Sequence, residues 1–279
     1  MSGCRRRRHR HRRRMPLYHA EPTSDDEDEK NVPIYKRKPP KPVTLSEMEE
    51  FLKRPPMPPP SMPQDVTLWM PDRHLADPHI RILAEHVDRG VFDYVKTLQI
   101  ANNEIGSHGM GYLAVSISHG HMTQLTHCNI SRNPLGAEGG RAFASMMHAL
   151  PRLRQLELNY CQLYDEGAKA IFVEATKGNM PSVDYLYLKG NLFADGAMEA
   201  LCDAFASGNV PKLIHLLLGE NEFGDEGMLC LANAIEAGHL ATCRHIDLGP
   251  APKVGVDGKE VVDNVCAEYQ VKPLKVMFQ

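Results

Sequence analysis

The sequence has little that would place the protein in a membrane or in a secretory route. None of its apolar runs approaches about 18 residues, the length of a membrane-spanning helix. The Arg-rich start is not followed by the apolar segment of a secretory signal, and it lacks the apolar face of a mitochondrial presequence. The sequence therefore predicts a protein of the cytoplasm or, as the alternative, the nucleus, with no membrane partner.

Cysteine is present, but no metal-ligand spacing or disulfide framework links the cysteines. They number seven, which is odd. Five of them fall at positions that are apolar or ladder-forming in the repeat pattern: Cys128, Cys161, Cys202, Cys230 and Cys243. We expect reduced thiols that act as small apolar residues in a reducing compartment.

The residue patterns of an active site are missing as well. No serine or cysteine nucleophile stands in a recognisable context with histidine, and no glycine-rich phosphate loop follows a strand. His119 and His121 are spaced like two metal ligands, but no third ligand lies within reach in the sequence, which favours a polar loop. The sequence predicts that the protein is not an enzyme and has no metal site and no cofactor.

Large apolar residues are scarce in residues 1–64, where proline and charge predominate. Such a segment cannot bury enough apolar surface to offset the loss of chain entropy, so a disordered N-terminal arm is predicted. Its tip has eight of the 32 basic residues: Arg5, Arg6, Arg7, Arg8, Arg10, Arg12, Arg13 and Arg14. The rest of the chain then has 24 basic and 35 acidic residues, a net charge of −11, so a cationic tip precedes an acidic body.

The arginine tip allows several interpretations. It could bind nucleic acid, an acidic protein surface such as that of tubulin, or a nuclear import receptor, and it could also be a solvated tail without a role. Because no aromatic residues are interleaved with the arginines, attraction to phosphate would be non-specific and would weaken with salt. An acidic run over 25–29 follows, and Ser24 in front of it stands in a context suited to phosphorylation.

A short amphipathic helix is predicted within the proline-rich part of the arm, over 44–54. Ten prolines between Pro33 and Pro63 favour a stiff, extended chain. Thr44 and Glu47 have the spacing of a capping box at a helix start. The apolar stripe of this helix is formed by Leu45, Met48, Phe51 and Leu52. Because so short a helix is unstable alone, the stripe either docks on the folded domain or serves as a linear motif for a partner.

The sequence repeats from residue 65 to about 270. Copies of the pattern L-x-x-L-x-L-x-x-N-x-L, 28 or 30 residues apart, begin at Val95, Leu125, Leu153, Val183 and Leu213, with a degraded copy at Cys243 and a divergent one at Asp65. The Leu-x-Leu pair predicts a short strand with alternate side chains inward. Asn at the ninth position, replaced once by Cys161, predicts a ladder of hydrogen bonds to the backbone. The small and apolar residues that follow predict a helix, and about six to seven repeats stack.

The ends of the repeat region have their own signals. At the front, Asp77 and Pro78 predict an N-cap followed by the first residue of a helix. At the back, a closing helix is predicted over 258–269 and a C-terminal tail over 271–279.

The region 65–270 resembles the ribonuclease-inhibitor class of leucine-rich-repeat proteins in the pattern residues given above. The resemblance implies an α/β solenoid, curved like a horseshoe, with parallel strands on the concave face, helices on the convex face and no catalytic site. The class includes the GTPase-activating protein of Ran, so a GTPase regulator is one alternative. This chain has fewer repeats and no acidic tail after the solenoid, and no GTPase-contacting residue of that protein is matched here.

The strand positions between the inward leucines predict the binding face. The expected partner-binding residues on the concave face are Tyr160, Tyr185, Tyr187, His215 and Leu217. Aromatic side chains anchor interfaces, whereas a solvated face has no need of them side by side. The alternative is that these residues are present only because aromatic and aliphatic side chains favour strands.

These features together predict a protein–protein interaction scaffold or adaptor in a multiprotein assembly, in a cytoskeletal or flagellar setting with tubulin or another acidic surface as partner. One alternative is a GTPase regulator that acts through the solenoid. The other is a nuclear or RNA-associated adaptor that uses the arginine tip.

Overall fold

The structure is a computed structural model that describes residues 42–53, 67–268 and 275–277, with side chains given through residue 265. The arginine tip, the acidic run, Ser24 and most of the proline-rich segment lie outside the described residues. Predictions about them therefore stay predictions.

Within the described residues, eight three-residue strands form one parallel sheet in chain order. The strands are β1 (Thr67–Trp69), β2 (Thr97–Gln99), β3 (His127–Asn129), β4 (Gln155–Glu157), β5 (Tyr185–Tyr187), β6 (His215–Leu217), β7 (His245–Asp247) and β8 (Lys275–Met277). Equivalent positions of consecutive repeats are in register, so that Leu98 faces Cys128 and Leu156 faces Leu186. In β1 to β7 the central side chain is buried and its two neighbours are partly or fully exposed. The predicted strand positions and their 28- or 30-residue spacing are confirmed.

Helices alternate with the strands along one side of the sheet. The helices are α1 (Leu45–Lys53), α2 (Asp77–Val87), α3 (Ser107–Ser118), α4 (Gly136–Met146), α5 (Tyr164–Thr176), α6 (Asp195–Ala206), α7 (Asp225–Glu236) and α8 (Val256–Glu268). A 3-10 turn over Met147–Ala149 extends α4. Packed helices stand about 8–10 Å apart, whereas paired strands stand about 4.8 Å apart. Because the helix side of each repeat is wider than the strand side, the stack curves, with helices on the convex side and strands on the concave side. The predicted leucine-rich-repeat solenoid is confirmed.

The interior contains the predicted asparagine ladder. The Asn191 side-chain amide donates to the carbonyl oxygens of Leu158 and Leu188 at 2.7 and 2.9 Å, and its oxygen accepts the N–H of Cys161 at 2.9 Å. Corresponding bonds are made by Asn103, Asn133 and Asn221. Each asparagine thus satisfies backbone groups of two repeats that water cannot reach.

A second ladder, formed by aspartates, runs along the helix starts and corrects one prediction. Asp77 is the first residue of α2 and not its N-cap, which is Ala76. Its carboxylate accepts the N–H of Gly106, the N-cap of α3, at 2.6 Å. The same bond joins later repeats: Asp165 to Ala194, Asp195 to Gly224, and Asp225 to Gly255. The sequence predicted that the Asp77 side chain caps its own helix. The prediction was wrong because stacking brings the N–H at the start of the next helix to this carboxylate.

Glycines set how closely α4 and α5 approach. A Cβ on Gly140 would lie 2.7 Å from the Cα of Gly167, and a Cβ on Gly167 would lie 3.1 Å from the Cα of Ala137. At α4 and α5 these small residues bring two neighbouring helices, from successive repeats, close together.

α1 lies where the sequence predicts a helix, and it docks on the first repeat. The Thr44 N–H donates to the Glu47 carboxylate at 2.8 Å, and the Glu47 N–H donates to the Thr44 hydroxyl at 3.2 Å, which is a complete capping box. Met48 and Leu52 are each 1% exposed and join the hydrophobic core. α1 is therefore an N-terminal cap for the solenoid core.

At the C-terminal end, the sheet extends beyond residue 270. α8 occupies nearly the range predicted for the closing helix, and β8 then pairs with β7 in parallel. The strand lies within 271–279, where a tail was expected. Its register with β7, thirty residues earlier, continues the spacing of the repeats.

Candidate functional site

Two columns of outward side chains on the strands form a surface that we call the strand face. The third residues of β1 to β7 form one column: Trp69, Gln99, Asn129, Glu157, Tyr187, Leu217 and Asp247. The first residues form the other: Thr67, Thr97, His127, Gln155, Tyr185, His215 and His245. Side chains alternate between the two sides of a strand, so the central residue of each strand points into the core and the residues on either side of it point away from the core.

An aromatic cluster occupies the strand face over β5, β6 and β7. The rings of Tyr185 and His215 are stacked, with centroids 4.9 Å apart and planes at 21°, and the His215 and His245 rings are 5.4 Å apart. Tyr187 stands nearly perpendicular to Tyr185 at 6.3 Å. We call these four residues with Leu217 the aromatic patch. All five side chains are partly exposed, and the two tyrosine rings meet edge to face.

Burial perturbs the ionisable groups of this surface. It raises the pKa of Tyr187, an effect to which the neighbouring Glu157 and Tyr185 add. Burial also raises the pKa of Glu157, opposed by a hydrogen bond from Gln155. The pKa of His215 is lowered by burial and by the nearby His245. Burial thus favours the neutral form of His215 and makes Glu157 costly to ionise.

Tyr160, one of the predicted contacts, is used within the solenoid. Its hydroxyl donates to Glu220 at 2.9 Å, and the Arg132 guanidinium lies 4.6 Å from its ring centroid. The ring also lies against Gly190, where a Cβ would be only 2.3 Å from it and the backbone φ is +69°. Lys189 pairs with Glu220 at 2.9 Å and thereby raises its own pKa and lowers that of Glu220. Tyr160 therefore ties four repeats together beside the aromatic patch.

The structure brings four of the five predicted concave-face residues together, namely Tyr185, Tyr187, His215 and Leu217. His245 and Glu157 adjoin them, and the column positions alone would have identified both. Their role in binding a partner stays a prediction.

The predicted linear motif is divided by the docking of α1. Met48 and Leu52 are buried, whereas Leu45 and Phe51 are 44% and 43% exposed. A groove of about 320 Å³ lies beside Phe51 and is also lined by Trp69, which is 51% exposed. The sequence analysis missed Trp69, although it lies at the strand-face position of the divergent first repeat.

The histidines of the helix-to-strand loop are hydrogen-bonded across repeats. His119 Nδ1 lies 3.4 Å from Asp88 and His121 Nδ1 lies 3.0 Å from Asp93, two separate pairs. Within the described part of the chain, no group of three or more potential ligands is arranged to hold a metal ion.

Free thiols are found at the five cysteines whose side chains the structure describes, namely Cys128, Cys161, Cys202, Cys230 and Cys243. Burial raises the pKa of Cys161 to about 12 and that of Cys243 to about 11. Such thiols stay protonated near neutral pH and are poor nucleophiles, consistent with a packing role.

Comparison with known proteins agrees with the repeat. A family model described as "Leucine Rich repeat" matches residues 121–144, 150–172 and 211–232. These three segments of the chain match leucine-rich repeats. The narrower ribonuclease-inhibitor class stays a resemblance in the sequence pattern, and a comparison with curated proteins finds no match.

Two solved structures are similar at low identity. One is an internalin (inlF) from Listeria monocytogenes, 11% identical with a TM-score of 0.27, and the match covers 84% of this chain and 88% of that one. The other is a TDR receptor, 12% identical with a TM-score of 0.31, and the match covers 91% of this chain and 52% of that one. Similarity at this level carries no inference about function. Over the residues that the structure describes, no helix is long and apolar enough to cross a membrane.

Proposed function

We propose that this protein is a non-enzymatic interaction protein that binds a partner protein through the aromatic patch, as a scaffold or adaptor in a multiprotein assembly. One observation carries the proposal: Tyr185, Tyr187 and His215 form one group of ring contacts on the outer side of their strands. The inward residues of the same strands already fill the solenoid core. Aromatic side chains clustered on a surface are the usual anchors of interfaces, and packing of the repeat does not require them there.

The experiment compares capture of binding proteins by three immobilised full-length chains: the wild type, the double variant Tyr185→Ala with Tyr187→Ala, and the control Tyr112→Ala. Tyr112 is also an exposed tyrosine, 43% exposed, but lies on α3. We expect the double variant to lose about 2–4 kcal/mol of binding free energy per anchor, enough to abolish capture, with little change in melting temperature. Capture that is unchanged in the double variant contradicts the proposal.

A cytoskeletal or flagellar setting is the finer form of the proposal. It rests on the sequence, in which eight arginines precede an acidic body and could contact an acidic surface such as that of tubulin. Capture with and without residues 1–64 tests it. Tubulin recovered only with the arm supports this setting, whereas a GTPase or RNA-bound particles would favour one of the two alternative functions.

A further inference from the structure

The strand side of the solenoid already has one site that holds an arginine side chain. The Arg132 guanidinium lies over the ring of Tyr160, which belongs to the next repeat, and the Tyr160 hydroxyl donates to Glu220. A guanidinium is planar and weakly hydrated, so an aromatic face next to a carboxylate is a favourable place for it.

The aromatic patch and the neighbouring Glu157 offer the same two parts, tyrosine rings and a carboxylate. In the repeat before Tyr187, the residue in register is Glu157 and not a basic residue. The Glu157 carboxylate accepts only from neutral amides, at 2.9 Å from Asn129 Nδ2 and 2.6 Å from Gln155 Nε2. No basic side chain within the described residues pairs with it. Glu157 is thus a partly desolvated acid without a counter-charge beside two tyrosine rings.

The basic side chains near the patch have other partners. Lys189 pairs with Glu220, and the Arg154 guanidinium pairs with Asp184. On the far side of Leu217 the residue in register is Asp247, a second acidic group. At neutral pH the surface around the two tyrosines therefore favours a positive charge supplied by another molecule.

We propose that Glu157, Tyr185 and Tyr187 form a receptor for an arginine side chain of the partner protein. The guanidinium stacks on the tyrosine rings while its N–H groups donate to the Glu157 carboxylate. This inference rests on the proposed function and adds the chemistry of the residue that the partner presents.

The test uses the full-length chain and a synthetic peptide, acetyl-Gly-Ser-Gly-Arg-Gly-Ser-Gly-amide, with a second peptide in which citrulline replaces arginine. Citrulline keeps the shape of arginine and removes its charge. Binding is followed through the NMR signals of the Tyr185 and Tyr187 rings. We expect the arginine peptide to bind about tenfold or more tightly than the citrulline peptide, because its bonds to Glu157 are charge-assisted.

Glu157→Gln should lower the affinity for the arginine peptide to that for the citrulline peptide, while Glu199→Gln should leave it unchanged. Glu199 is the matched control because it is exposed on α6, away from the strand face. If Glu157→Gln unfolds the chain, Tyr187→Leu removes the stacking ring and should cause a comparable loss. Equal affinity of the wild type for the two peptides, or equal affinity of the wild type and Glu157→Gln for the arginine peptide, would overturn the arginine receptor.

Failure of this inference is distinguishable from failure of the proposed function. One outcome is that the double tyrosine variant loses the captured partner while Glu157→Gln retains it. That outcome would support the aromatic patch as the interaction surface and would contradict the arginine receptor.

Discussion

The inner and outer side chains of the same short strands obey different constraints. In β5 the inner Leu186 is 1% exposed and packs beside the asparagine ladder, and the equivalent inner position is leucine, isoleucine or cysteine in β1 to β7. The outer positions range from threonine, glutamine and glutamate to tyrosine and leucine. The stacking of repeats restricts the inner residue, because any change there alters the packing against both neighbouring repeats. The outer residues do not pack between repeats, so they can differ without loss of the fold. A function specific to this chain therefore depends on the outer residues.

The largest expected effect comes from breaking the inner ladder. Asn191→Leu conserves size but removes three hydrogen bonds to buried backbone groups, so we expect the free energy of unfolding to fall by about 1–3 kcal/mol. Asn233→Leu is the matched control, because Asn233 is exposed on α7, and it should change stability by less than about 0.5 kcal/mol. Equal shifts in chemical denaturation would contradict the repeat register.

An intermediate effect on stability is expected at Tyr160, which is neither an inner side chain of the core nor an outer side chain of the strand face. Tyr160→Phe removes only the hydroxyl that donates to Glu220, and we expect a loss of about 1 kcal/mol in the free energy of unfolding. Tyr112→Phe removes an exposed hydroxyl on α3 and should cost less than about 0.5 kcal/mol. If the two variants melt alike, Tyr160 does not tie the repeats together and regains its place among the predicted partner contacts.

The smallest effect is expected from protonation of His215 on the outer face. Burial and His245 lower the pKa of His215 in the folded chain below its usual value of about 6.5, so the unfolded chain binds the proton first. The contribution of neutral His215 to the free energy of unfolding is therefore fully present above about pH 6.5. It is lost as the pH falls through the lowered pKa.

Chemical denaturation between pH 5 and pH 8 checks this expectation against His215→Gln, which has no titrating ring. The wild type should lose more stability than the variant on acidification. A greater loss in the variant would show that protonation of His215 stabilises the fold.

Much of the fold follows from the spacing of residues in the sequence. The 28- or 30-residue period identifies the strands and the asparagine ladder, because both are set by contacts between equivalent positions of successive repeats. The period also places Val276 of β8 thirty residues after Ile246 of β7, but it does not reveal that the Asp77 carboxylate bonds to the next repeat. Sequence patterns record side-chain burial well, but they record hydrogen bonds between distant segments poorly.

The candidate site divides in the same way. The sequence by itself determined that Tyr185, Tyr187 and Leu217 point outward on neighbouring strands, because strand alternation and the repeat period leave no other arrangement. Only the tertiary structure decided that Tyr160 is held between Arg132 and Gly190, and that Glu157 has no basic partner among the residues that the structure describes. The reason is physical: a period fixes which positions are neighbours, whereas the side-chain rotamers and the backbone at Gly190 decide which of those neighbours pair.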